Sequence, residues 1–268
     1  MMTDGFPAST GGSTVLLLQL AGPLQSWGIS SKFETRDTAA MPSKSGVCGL
    51  LAAALGRPRD ADVSDLAALR FGVRADRDGR LLDDFQMARS IGFPAGQTAL
   101  YKKLYGVPSK EYKSVIHKHY LMDAVFLAGF EGDAGFLAQI HEALLCPAFP
   151  LYLGRRCCPP ARQVTLGLRK GTLLDVLRDE PCLCEWPRNG VLYQVDSVDE
   201  QGMLLRDVPM SYDPRDRKYG YRCVVEGVFF GPAMPEHDPM AELSHDPMAG
   251  LDIERKAVAT DVPVQDMA

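Results

Sequence analysis

The densest group of acid-base residues in the chain is His117-Lys118-His119-Tyr120. Gathered in one pocket, these side chains would suit RNA cleavage, a histidine moving the proton and a lysine steadying the charge on the phosphorane. The flanking Val115-Ile116 marks the stretch as a strand, and successive strand side chains point to opposite faces. His117 and His119 then share one face, Lys118 and Tyr120 the other. Catalysis by His117, Lys118 and His119 is therefore the alternative reading rather than the first. No G-x-S-x-G, H-E-x-x-H, G-x-G-x-x-G or paired-acid metal pattern occurs elsewhere, and neither a metal nor another cofactor is expected.

A second chemistry lies just upstream. Between Phe85 and Tyr120 six basic residues (Arg89, Lys102, Lys103, Lys110, Lys113, Lys118) stand against the single acid Glu111. Phe85, Phe93, Tyr101, Tyr105, Tyr112 and Tyr120 are interspersed with them. Aromatic faces for bases beside cations for phosphates are what single-stranded nucleic acid requires. The alternative is a solvated loop whose aromatics pack on the body or on a protein neighbour.

Three further candidates carry weaker signals. Pro42-Ser43-Lys44-Ser45-Gly46 opens a helix with small residues and a cation, a combination able to hold a phosphate at the helix start. Arg155-Arg156, after Leu153-Gly154, forms either a phosphate fork or an ordinary surface turn. In the turn Leu24-Gln25-Ser26-Trp27-Gly28, Trp27 either stacks on a base or fills the turn, and the packed reading is the favoured one.

The elements that must position these residues read as α+β. Thr14 to Leu20 is a buried strand stopped by Gly22-Pro23, and a short buried helix runs from the Ser43 region to Gly56. Gly46 and Gly49 each cost that helix about 1 kcal/mol relative to alanine, so a close neighbour is expected there. Asp65 to Arg70 is a further helical turn or two, and strands at Phe71–Ala75 and Leu81–Met87 flank an Asp78-Gly79 turn. From Ala88 to Lys113 apolar periodicity vanishes, as in a projecting arm. Strands return from Ser114 to Phe130, followed by an amphipathic helix from about Gly135 to Leu145. Short strands follow at Leu151–Leu153, Val191–Val195, Met203–Asp207 and Tyr221–Phe230. The expected organisation is a loose leader over 1–13 and a ferredoxin-like or RRM-like domain over 14–146 with an arm near 87–113. A smaller β-rich part follows over 147–231, then an acidic tail over 232–268.

The tail concentrates the net negative charge. Of the chain's formal −5, residues 232–268 carry eight acids and two bases, which leaves the body at +1. The tail repeats His237-Asp-Pro-Met-Ala-Glu-Leu243 as His245-Asp-Pro-Met-Ala-Gly-Leu251, a proline-bearing duplication read as disordered. Its His-Asp pairs lack the further ligands a metal needs. The opening residues lack the basic start and apolar stretch of an export signal, no apolar run reaches about 18 residues, and the seven cysteines lack zinc spacing. A soluble, cytoplasmic protein with reduced thiols is expected.

Leu18-Gln-Leu-Ala-Gly-Pro-Leu-Gln-Ser-Trp-Gly28, Pro42-Ser-Lys-Ser-Gly-Val-Cys-Gly-Leu-Leu51, Tyr120-Leu-Met-Asp-Ala-Val-Phe126 and Tyr152-Leu-Gly-Arg-Arg-Cys157 together resemble the CasD subunits of type I-E CRISPR Cascade, within the RAMP superfamily. The resemblance spans roughly Val15 to Phe230. It implies an RRM-like domain with a β-hairpin thumb that caps the 5′ handle of crRNA. The partners it implies are the CasC backbone subunit, the large CasA subunit and, through the assembled complex, target DNA. Carried over by position, the RNA-binding surface comprises Gln25, Ser26, Trp27, Arg36, Ser43, Lys44, Ser45, Gly46, Arg155 and Arg156. Arg89, Tyr101, Lys102, Lys103, Lys110 and Lys113 belong to the thumb. In type I-C relatives the equivalent subunit cleaves precursor RNA with a tyrosine near the first helix and a Lys-His pair. Lys118-His119 fits that pair, but Asp37-Thr-Ala-Ala-Met41 supplies no tyrosine, which favours binding without cleavage.

Overall fold

The computed structural model describes residues 13–28, 35–89, 113–184, 190–199 and 201–230. In chain order these form β1 (Thr14–Ala21), β2 (Leu24–Gln25), β3 (Thr35–Arg36), α1 (Lys44–Ala54), α2 (Ser64–Ala68), β4 (Arg70–Arg77), β5 (Arg80–Arg89) and β6 (Lys113–Met122). Then come β7 (Val125–Gly132), α3 (Ala134–Leu145), β8 (Thr165–Lys170), α4 (Leu173–Asp179), β9 (Val191–Asp196), β10 (Met203–Ser211) and β11 (Lys218–Phe229). The described residues belong to one compact unit; residues 232–268 lie outside the described residues, as does the leader up to residue 12.

The main sheet has seven strands in the order β10-β11-β9-β4-β7-β1-β8. All the pairings recorded in it are antiparallel. β1 reads as a nearly continuous apolar run because both of its faces are covered. Leu16, Leu18 and Leu20 join the core beneath α1 and α3, whereas Val15 and Leu17 pack with Leu173, Val176 and Leu177 of α4. Burying each such side chain stabilises the fold by about 1.5–3 kcal/mol.

Local chemistry sets the helix ends. The Ser43 hydroxyl accepts from the Gly46 N–H at 3.3 Å and the Asp133 carboxylate from Phe136 N–H at 2.8 Å. The last carbonyls of α1, on Ala53 and Ala54, accept from the N–H groups of Phe149 and Ala148. Buried Arg74 pairs with Asp76 at 2.6 Å and donates to the carbonyls of Leu177, Glu180 and Pro181 where α4 ends.

β4 and β5 flank Asp78-Gly79 in different sheets: β4 lies in the main sheet, while β5 pairs with β6 in a second, four-stranded sheet. β8 and β9 hydrogen-bond directly to β1 and β4. Beyond residue 146 the expected elements change. Leu151–Leu153 is a loop, tied by the Leu153 N–H to the Cys158 carbonyl, whereas β8 and α4 arise where no element was expected.

Candidate nucleic-acid interface

β6 organises the candidate site. It pairs with β5 over ten register positions from Arg80↔Met122 to Arg89↔Lys113, with β2 antiparallel, and with β3 in parallel through Thr35↔His117 and Arg36↔Lys118. Strand alternation separates the candidate acid-base groups. On one face the His119 Nδ1 lies 2.7 Å from Asp37 and its Nε2 3.6 Å from Asp83, while the His117 Nδ1 lies 3.2 Å from Asp83. On the other face Lys118 Nζ donates to Gln86 Oε1 at 2.5 Å. Lys118 and His119 therefore do not converge on a common atom.

The loop Leu153–Cys158 closes against this ribbon. The Arg155 guanidinium stacks 4.7 Å above the Tyr120 ring and donates to the carbonyls of His119 at 3.2 Å and Arg36 at 2.7 Å. Its donors serve the backbone, so Arg155 holds β3 to β6 instead of forming an open fork, and Arg156 and Arg36 are the exposed cations beside it. Tyr120, whose hydroxyl lies 3.5 Å from the Cys157 thiol, has its phenol pushed up chiefly by burial. Gly154, at φ +86°, lets the loop approach the Ser26 carbonyl where any Cβ would collide.

The turn and the start of α1, expected to face RNA, are turned inward. Gln25 is fully buried and donates to the carbonyls of Leu20 and Ala124; its Oε1 accepts from the Trp27 indole at 3.1 Å. Trp27 is also fully buried. Ser26 donates to the His119 carbonyl. Gly46 lies against the Trp27 ring, where an added Cβ would sit 2.8 Å from Cε3. Ser43, Lys44 and Ser45 are buried as well, and the Ser45 carbonyl accepts from the Tyr212 hydroxyl.

The anion at the helix start belongs to the protein itself. Asp207 accepts from the Lys44 N–H at 2.7 Å, the favourable place for a carboxylate at a helix N-terminus. Lys44 Nζ reaches Asp196 at 3.1 Å, and Arg222 bridges Asp196 at 2.5 Å and Asp207 at 2.6 Å. Two cations and two anions thus fasten α1 to β9, β10 and β11. Asp37 after β3, Asp83 of β5, and Asp196, Asp207 and Arg222 of this network were not singled out in the sequence, because isolated acids and arginines on separate elements have no local spacing. Arg89 and Lys113 form the last described register pair of the ribbon; Tyr101, Lys102, Lys103 and Lys110 lie outside the described residues.

The family model described as CRISPR-associated protein (Cas_Cas5) matches residues 15–225. The chain belongs to this family. It is 33% identical over 214 residues to the protein named CRISPR system Cascade subunit CasD of Escherichia coli (strain K12), covering 75% of this chain and 90% of that one. Two solved structures share the fold of this Cas_Cas5 chain. One, titled as the crystal structure of a Cas protein, is 40% identical, with a TM-score of 0.64 and coverage of 81% of this chain and 95% of that one. The other, titled as a CRISPR RNA-guided surveillance complex, is 31% identical, with a TM-score of 0.66 and coverage of 86% and 98%. Among the described residues of this family member, no helix is long and apolar enough to cross a membrane and no cluster of three potential metal ligands occurs.

Proposed function

We propose that the chain is a non-catalytic, cytoplasmic subunit of a type I-E Cascade surveillance complex, where it binds and caps the 5′ handle of crRNA beside the CasC and CasA subunits and thereby serves target-DNA recognition. The observation that carries this reading is the β5–β6 ribbon. It belongs to the second sheet, outside the seven-stranded one, ends in the register pair Arg89–Lys113, and is joined in sequence by the lysine- and tyrosine-rich residues 90–112. Exposed Arg36 and Arg156 lie near its base. We assign the ribbon and its connecting segment as the thumb. The sheet order β8-β1-β7-β4, built by a β-α-β and β-α-β connectivity, supports a ferredoxin-like RAMP domain extended by β9–β11.

Binding is favoured over cleavage because Lys118 and His119 face opposite sides of β6 and His119 is engaged by Asp37. The test is titration of handle RNA at several salt concentrations. Lys102→Glu with Lys103→Glu should weaken binding and flatten the salt slope by about 1.4 for two lost phosphate contacts on a single strand. Unchanged affinity and slope would refute the assignment. Specific cleavage of repeat RNA in EDTA, lost in His119→Ala, would replace it with the nuclease reading.

A further inference from the structure

One face of the β5–β6 ribbon carries an aromatic side chain whose exposure no packing role explains. In register, Asp83 opposes His119, Phe85 opposes His117 and Met87 opposes Val115. Phe85 is 58% and Met87 63% exposed, and among the described residues β5 pairs with β6 alone. An exposed phenylalanine gives up burial free energy that a polar residue at a ribbon position would not forgo. Phe85 is nevertheless oriented. The edge of one ring meets the face of the other in its contact with His117, the centroids 5.3 Å apart and the planes at 71°, and Asp83 holds His117 in turn.

The charges around this ring select which part of a nucleotide it fits. Toward the base of the ribbon, the Asp37 and Asp83 carboxylates flank His119, so a phosphate there would meet like charge. Toward the far end, two register steps beyond Met87–Val115, comes Arg89–Lys113. A neutral, flat group beside Phe85 avoids that like charge, and the next register pair on the same face is of basic residues. We propose that Phe85, backed by His117, is a stacking platform for one unpaired nucleobase of the bound RNA. The proposal rests on the RNA-binding reading above and specifies its contact.

The test uses the full-length chain and single-stranded handle RNA in fluorescence anisotropy. Phe85→Ala should lower affinity by about 5- to 150-fold, the range measured for loss of one base–aromatic stack. Phe85→Tyr and Phe85→Trp should restore it, and the salt slope should stay that of the wild type, since no phosphate contact is lost. In Phe85→Trp the added indole emission should be quenched by RNA, a readout that survives if the alanine variant misfolds. Wild-type affinity in a folded Phe85→Ala overturns the proposal, and if assembly with the other subunits then fails, the face belongs to a protein. Loss of affinity with a flattened slope, or no quenching in Phe85→Trp, also overturns it. Absence of RNA binding by the wild type is the distinct result that removes the RNA-binding reading itself.

Discussion

Replacing Asp207 by alanine removes one anion from a closed set of four charges. In the wild type Lys44 and Arg222 are balanced by Asp196 and Asp207, all four at most 9% exposed. Asp207 alone accepts from Lys44 N–H at 2.7 Å and from Arg222 Nε and Nη2 at 2.6 and 2.9 Å. The variant leaves two buried cations sharing Asp196 and an unsatisfied N–H at the start of α1. Breaking a buried pair from one side costs about 3–5 kcal/mol, and the lost helix-terminus interaction adds about 0.3–1 kcal/mol. For a body of this size that corresponds to a fall in Tm of roughly 7–24 °C. Urea unfolding followed by circular dichroism should show a lower midpoint at unchanged slope. Removing a cation together with the anion should restore stability. Asp207→Leu with Arg222→Met deletes one charge of each sign, leaves Lys44 with Asp196, and should regain at least half of the loss. A double variant as unstable as the sum of the singles, or Asp207→Ala within 0.5 kcal/mol of wild type, would refute the charge-balance account.

The two glycines of α1 should respond oppositely to alanine. Gly46→Ala forces a Cβ to 2.8 Å from the Trp27 ring and should destabilise by about 1–3 kcal/mol, whereas Gly49→Ala meets Tyr212 at an ordinary 3.6 Å and should gain up to about 1 kcal/mol of helix propensity; denaturant midpoints of the two variants check the contrast. The thiols of Cys48 and Cys158 are each pushed up to about 12, chiefly by burial, so at pH 8 both stay protonated and should resist a thiolate-selective reagent while exposed Cys146, Cys157 and Cys182 react. Because the raised value delays ionisation, labelling of the two buried thiols should rise with pH toward 12 and appear at once in urea; prompt reaction of Cys48 in the native protein at pH 8 would contradict its burial, and mass spectrometry of the labelled peptides decides.

What could be read from the sequence was whatever local spacing encodes. β1 announced itself because a strand covered on both faces has no polar alternation to obscure it, and α1 because Ser43 and Gly56 mark its ends. The need for a neighbour at Gly46 was also legible; that the neighbour is Trp27 was not, since the contact joins a turn to a helix 19 positions on. β8 was missed because Gly167, at φ +89°, sits inside it beside a register shift at Leu17/Leu18, and glycine reads as a break. α4 did carry a signal: the Thr172 hydroxyl accepts from the Asp175 N–H, a cap visible in Gly171-Thr172-Leu-Leu-Asp175, but seven residues give too little periodicity to weigh against the prolines and cysteines around them.

Sheet partners were harder still, and they decided the site. Strand alternation was enough to place Lys118 opposite His119, because period two is intrinsic to the strand, and that alternation alone weakens the catalytic reading. No such local rule says whether a lysine at a helix start meets a ligand or its own chain. Lys44 and the N–H above it were good candidates for a phosphate, and the physics that made them so is satisfied by carboxylates 152 and 163 residues away. β9–β11 bring Asp196 and Asp207 to that spot, which turns an apparent anion site into the fastening between α1 and the far end of the sheet. With the Lys44 N–H and its ammonium engaged in this way, phosphate contact in our proposal falls to other cations, among which Arg36 and Arg156 are exposed.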